Sequence, residues 1–177
     1  RWIFVPPQDR LNAEDGDFVS ATLTRHPFPK GKAQARIDTI IGKETTPNIE
    51  RLFMQARFGL DNEFSEEVVK AVNEIDASQI ETQAAERTDL THLPFVTIDS
   101  AGTRDIDDAL FAEAHSDGWT LWVAIADPDA LIQAGSALED AAAKRATSAY
   151  FADSVVPMLT TELSENFSSL QAGEKRL

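Results

Sequence analysis

Hydrophobic and polar positions along the chain fall into three successive regimes, each predicting a different kind of structure. In residues 2–42 short apolar runs alternate with turn formers. Trp2-Ile3-Phe4-Val5 ends at Pro6-Pro7, and Asp17-Phe18-Val19-Ser20-Ala21-Thr22-Leu23 follows Asp15-Gly16. The run from Ala33 to Gly42 follows a basic, proline-rich loop, Arg25-His26-Pro27-Phe28-Pro29-Lys30-Gly31. Alternation with closely spaced turns predicts part of a small antiparallel barrel. One candidate is an OB-type barrel, which commonly carries single-stranded nucleic acid on its face and loops; the other is a generic β module with a solvated loop.

From Pro47 to about Thr88 the period lengthens to that of a helix. Ile49, Leu52, Phe53 and Ala56 share one helical face, and Val68, Val72 and Ile75 share another. Ser65 is placed to cap the second helix, with Glu66 and Glu67 in its first turn complementing the dipole. Gly59 and Asp61-Asn62 supply the break between the two. The segment reads as a helical connector whose acidic patch through Glu86 is a solvated face.

The third regime starts near Leu93. Phe95-Val96-Thr97-Ile98 predicts a buried strand running into a polar loop, and Ala109-Leu110-Phe111-Ala112 predicts another leaving it. His115-Ser116-Asp117-Gly118 has the makeup of a hairpin turn before the strand Trp119 to Ile125. Trp119 and Trp122 are expected in the core because they lie in that apolar strand. Asp127-Pro128 predicts an N-cap with proline at the first helical position. Ser136-Ala137-Leu138-Glu139 predicts a capping box opening an alanine-rich helix through about Thr147, and Thr161 to Leu170 one more short helix. The whole is an α+β chain.

At 177 residues and 42% hydrophobic content, the chain can bury a core as one ordinary domain or two small ones. It has no cysteine, which excludes disulfides and thiolate metal sites and fits a reducing, cytoplasmic location. No apolar run approaches the roughly 18 residues of a membrane span, so no membrane partner is expected. The start at Arg1 rather than methionine points to an excerpt. The formal charge of −14 argues against a surface that attracts nucleic acid throughout. Residues 1–45 carry seven Lys/Arg against six Asp/Glu, and residues 46–177 carry nine against twenty-four. A strongly basic RNA-binding surface is therefore expected from elsewhere in a longer protein.

The candidate chemistry lies in Asp99-Ser100-Ala101-Gly102-Thr103-Arg104-Asp105-Ile106-Asp107-Asp108. Carboxylates packed this tightly repel one another unless a cation neutralises them or one stays protonated. Hard oxygen donors with no histidine or cysteine beside them favour magnesium, or manganese, over zinc and copper. Acidic groups pinned between two core-forming strands are expected to be partly buried. An EF-hand calcium loop fails on spacing: Ala101, Thr103, Arg104 and Leu110 stand where acidic or amide groups, glycine and glutamate are required. A paired-carboxylate glycosidase finds no partner acid to single out.

At this stretch the sequence resembles the ribonuclease II family. The similarity lies in Asp99-x-x-x-Thr103-x-Asp105-Ile106-Asp107-Asp108-Ala109, preceded by Leu93-Pro94-Phe95-Val96-Thr97-Ile98. It continues through Val123-Ala124-Ile125-Ala126-Asp127-Pro128, Pro157-Met158-Leu159, and Glu162-Leu163-Ser164 to Ser169-Leu170. Thr160 departs from it, standing where the family's proline is expected.

The resemblance implies a processive exoribonuclease that hydrolyses single-stranded RNA from the 3′ end and releases nucleoside 5′-monophosphates. Carried over residue by residue, Asp99 and Asp108 would be magnesium ligands, Asp105 would support the same metal centre, and hydrolysis would depend most on Asp107. Tyr150, in Thr147-Ser148-Ala149-Tyr150-Phe151, resembles a tyrosine that stacks on RNA bases; a helix-end aromatic in the core is the alternative. Arg104 is expected to face solvent, and His26, Lys30 and Lys32 are weak candidates for RNA backbone contact. The implied division is a partial cold-shock, OB-type domain over residues 1–45, a helical connector over 46–88, and the first part of a mixed α/β catalytic domain over 89–177. An arginine and a glutamate expected downstream would be missing, so this stretch alone is expected to be inactive. A non-catalytic RNA-binding module of the same architecture and a calcium-stabilised structural domain are the competing readings.

Overall fold

The computed structural model describes residues 2–28 and 31–177, which leaves Lys30 outside the described residues. The chain forms two compact units that part between Asp61 and Asn62.

In the first unit, strands β1 (Asp17–Arg25) and β2 (Gln34–Lys43) pair antiparallel from Asp17 opposite Lys43 to Arg25 opposite Gln34. The register shifts at three places along the pair, so the ribbon bends. Trp2 to Val5 does not become a full strand. Phe4 makes a single parallel bridge, donating its N–H to the Ala33 carbonyl at 2.9 Å and accepting from the Ala35 N–H at 3.0 Å. Helix α1 (Ile49–Phe58) follows, with Phe53 edge-on to Phe18 at 5.7 Å between ring centroids. It ends at Gly59, whose φ of 63° is the left-handed conformation that glycine adopts at least cost.

In the second unit, α2 (Glu66–Asn73) and α3 (Ala77–Ala84) precede the hairpin of β3 (Asp108–His115) and β4 (Gly118–Ile125). Then come a 3₁₀ turn at Pro128–Leu131, α4 (Ala137–Arg145), a two-residue ribbon of β5 (Ala149–Tyr150) with β6 (Val155–Val156), and a π-type turn at Glu162–Phe167. The Ser65 hydroxyl accepts the Val68 N–H as the sequence predicts. Ser136 accepts from Glu139 at 3.2 Å, while the Glu139 carboxylate reaches back to the Gly135 N–H at 2.6 Å. Helix α3 is a break the periodicity does not show: Asp76 caps it by accepting the Ser78 N–H at 2.7 Å. Val68, Val72, Ile75, Ile80, Leu131, Leu138 and Leu163 form the buried core, so the residues from α2 onward join the fold that carries the aspartates.

Three expectations are corrected. Phe95 to Ile98 contributes one antiparallel bridge, Val96 with Leu110, and Val96 and Ile98 are exposed. Trp119 is 74% exposed and Trp122 36%, because no further layer covers the hairpin among the described residues. Asp127 does not cap the turn behind it; its carboxylate pairs with Arg87 at 2.7 Å. No helix among the described residues is long and apolar enough to cross a membrane.

Leu163 is fully buried against this core. Replacing it with alanine removes buried methyl groups and leaves a cavity, so urea denaturation should show a loss of about 2–5 kcal/mol.

Candidate active site

The aspartate segment leaves the Val96 bridge, turns where the Ser100 carbonyl accepts the Thr103 N–H at 3.0 Å, and rejoins regular structure at Asp108, opposite Ile125 in β4. Between those points its backbone is fastened to distant parts of the unit. The hydroxyl of Ser169, a fully buried residue, donates to the Arg104 carbonyl at 2.6 Å and accepts the Ile106 N–H at 3.0 Å. The Leu170 N–H donates to the Ile106 carbonyl at 2.9 Å, and the Ala126 N–H to the Asp107 carbonyl at 2.8 Å. Arg176 backs this arrangement by donating to the Ser169 carbonyl at 2.9 Å and to the Asn166 carbonyl at 2.9 Å.

The side chains follow the opposite pattern. Among the described residues, none of Asp99, Asp105, Asp107 and Asp108 makes a side-chain hydrogen bond or an ion pair. Other aspartates of the chain do: Asp38 holds Thr22 and Arg36, Asp89 holds Thr91, and Asp127 holds Arg87. Arg104 extends instead to within 4.0 Å of Glu165 and is largely solvent-facing, as the sequence predicts.

All four aspartates are exposed residues, so the partial burial expected between the flanking strands is found only in part, at Asp107. Burial first, then the charges of Asp105, Asp108 and Asp99, push its carboxyl above the usual carboxylate range. Among the described residues no group of three or more acidic or imidazole side chains is drawn together tightly enough to hold a metal ion. The donor set nevertheless fits a hard divalent cation on chemical grounds, because every available donor is a carboxylate oxygen. What the fold supplies is a fastened backbone from which unpartnered acids project.

Tyr150 lies in β5, opposite Val155, and is 72% exposed, which excludes the helix-end core alternative. The base of that ribbon is held by Arg145, which donates to the Pro157 carbonyl at 3.0 Å, and by Ser148, which accepts the Met158 N–H at 3.0 Å. In the first unit a cavity of about 1110 Å³ is lined by Trp2, Phe4, Leu23, His26, Phe28 and Lys32 among others. Ser169 and Arg176 fasten this segment, and composition and periodicity do not single them out. A small polar residue next to Leu170 carries no signal that its partners lie 63 and 65 residues away.

An acidic segment on a fastened backbone, following a small β module in the sequence, is what this geometry presents. Residues 87–177 match the RNB domain family and residues 1–65 match a cold shock domain. The chain belongs to the ribonuclease II family. It is 38% identical over 165 residues to ribonuclease R of Buchnera aphidicola, covering 92% of this chain and 23% of that protein. It is 39% identical over 168 residues to exoribonuclease 2 of Aeromonas hydrophila, covering 95% and 24%. The chain thus spans about a quarter of the length of these curated relatives. Among solved structures, Mycoplasma genitalium RNase R in complex with double-stranded RNA superposes with a TM-score of 0.82 at 26% identity, covering 98% of this chain and 31% of that one. The yeast pseudonuclease Ssd1 shares the fold, with a TM-score of 0.68 at 18% identity over 97% of this chain and 23% of its own.

The raised Asp107 carboxyl has a pH signature. An acid whose folded-state pKa lies above its unfolded value binds its proton more tightly when folded. Stability therefore falls as pH rises from that unfolded value through the raised one, and the full penalty is present above both. In EDTA, Asp107→Asn should raise the thermal midpoint at neutral pH, and the gain should vanish below the ordinary aspartate range. An equal gain at every pH, read by thermal unfolding across a pH series, would show that the charge is not its source.

Proposed function

We propose that the protein containing this chain is a 3′-to-5′ exoribonuclease that degrades single-stranded RNA processively, releasing nucleoside 5′-monophosphates with magnesium, or manganese, as its cofactor. The observation that carries the reading is the contrast at the aspartate segment, where the backbone is fastened at Arg104, Ile106 and Asp107 while all four carboxylates lack a partner among the described residues. Natural folds satisfy or neutralise clustered acids, and a group left bare on a rigid backbone is suited to a ligand. The named activities of the relatives point the same way.

In this reading catalysis uses two metal ions, and Asp99, Asp105 and Asp108 would hold them. When bound, one would favour ionised water and the other would steady the departing oxygen of a phosphodiester. Asp107, the carboxylate pushed toward its protonated form, is suited to take the proton from the attacking water. A water oxygen bonds to phosphorus as the bond from phosphorus to the 3′ oxygen breaks. The released nucleoside keeps the phosphate on its 5′ carbon, and the shortened RNA ends in a 3′ hydroxyl. The exposed Tyr150 ring offers a base a stacking face. The lack of cysteine fits a cytoplasmic enzyme.

The test is the complete protein on 5′-labelled single-stranded RNA. Magnesium should support shortening from the 3′ end with 5′-mononucleotide release, EDTA should stop it, and Asp107→Asn should slow it by roughly 10²-fold or more. RNA left intact with magnesium, or Asp107→Asn as fast as the parent, would favour a non-catalytic RNA-binding module instead.

Tyr150→Ala should weaken RNA binding in EDTA by about 1–3 kcal/mol, the range for losing one base–aromatic stack. Filter binding or fluorescence anisotropy reads this directly, and unchanged affinity would remove Tyr150 from the binding surface.

A further inference from the structure

We infer that Ser169 is a positioning residue of the acidic site: by bridging the Arg104 carbonyl and the Ile106 N–H, its hydroxyl fixes the backbone on both sides of Asp105 and so sets how well the site holds its divalent cation. The inference rests on the metal-dependent nuclease reading above and goes further by naming the residue that holds the acids in place.

Four features support it. A hydroxyl has one donor and two acceptor positions, and Ser169 uses both functions on a single short segment, giving to Arg104 at 2.6 Å and taking from Ile106 at 3.0 Å. Ser169 is fully buried, so water has no ready route to replace either bond. The segment upstream, Ser100-Ala101-Gly102, is made of small exposed residues, so little in its own packing would stiffen it. The brace is also held from behind, since Arg176 donates to the Ser169 carbonyl and the next residue, Leu170, bonds the Ile106 carbonyl.

Ser169→Ala removes one oxygen and leaves the Arg104 carbonyl and the Ile106 N–H without that partner. The segment must then shift to rehydrate them, and Asp105 and Asp107 shift with it. The decisive measurement is Mn²⁺ binding to the complete protein without RNA, by calorimetry or electron paramagnetic resonance. Supporting residues behind metal ligands commonly change metal affinity or activity by roughly 10–100-fold, and Ser169→Ala should weaken Mn²⁺ by that factor. At fixed, subsaturating Mn²⁺, kcat should fall comparably and recover as Mn²⁺ is raised. RNA affinity in EDTA should stay within about twofold, since the site's contacts with the rest of the RNA are untouched.

Mn²⁺ affinity of Ser169→Ala within about threefold of the parent overturns the inference, because the expected range starts near tenfold. Should the alanine variant fail to fold, Ser169→Thr, which keeps the hydroxyl, and Ser169→Cys, which replaces it with a weak donor, decide the matter. Threonine binding Mn²⁺ better than cysteine supports the brace, and equal or reversed order overturns it. A parent protein that binds Mn²⁺ yet cleaves no RNA sinks the nuclease reading alone, leaving the titrations to decide on Ser169. A parent that binds no Mn²⁺ overturns the Ser169 inference as well.

Discussion

Four carboxylates kept within a short stretch of backbone resist the arrangement, and everything around them answers that repulsion. Two unit charges 4 Å apart repel by about 1 kcal/mol in bulk water and about 4 kcal/mol near a protein surface. Partial enclosure and the neighbouring charges push the Asp107 carboxyl above the usual carboxylate range. The main chain that carries the four acids is not free. It is held by hydrogen bonds from Ser169, Leu170 and Ala126, which belong to two other parts of the chain.

That fastening depends in turn on the hydrophobic core. Ser169 follows the wide turn at Glu162–Phe167, in which the Ser168 N–H reaches back five residues to the Leu163 carbonyl at 3.0 Å. Leu163 is fully buried against Val68, Val72 and Leu138, so the turn cannot rotate without opening the core. Thr160, which departs from the family's proline, has a local use: its carbonyl accepts the Leu163 and Ser164 N–H groups, and its hydroxyl lies 3.4 Å from the Leu163 nitrogen. π-type turns often lie near functional sites, and here one places a buried serine under the acidic segment.

Much of this was legible in the sequence where the signal is local. Ser65 and Ser136 cap their helices, and Ser116-Asp117 with Gly118 turns the β3–β4 hairpin, because each depends on residues a few positions apart. Burial was the weaker inference. An apolar strand suggests a covered face, yet Trp119 stands largely in solvent, since alternation tells which residues share a face and not what lies against it. Asp127 illustrates a different failure: Arg87, 40 residues earlier, takes the carboxylate that local rules assign to a cap. The aspartates stood out in sequence and Ser169 lay in one of the blocks of resemblance, but its bracing role was not legible, because its partners are more than sixty positions away.

The spacing of the acids also accounts for their failure to form a closed cage by themselves. Successive side chains of an extended backbone point to opposite faces, so Asp107 and Asp108 diverge where the chain enters β3, while residues two apart share a face. Ile106, between Asp105 and Asp107, has its N–H on Ser169 and its carbonyl on Leu170, so the main chain that spaces those two acids is fixed. The acids thus supply charge, and the buried serine fixes the backbone on both sides of Asp105.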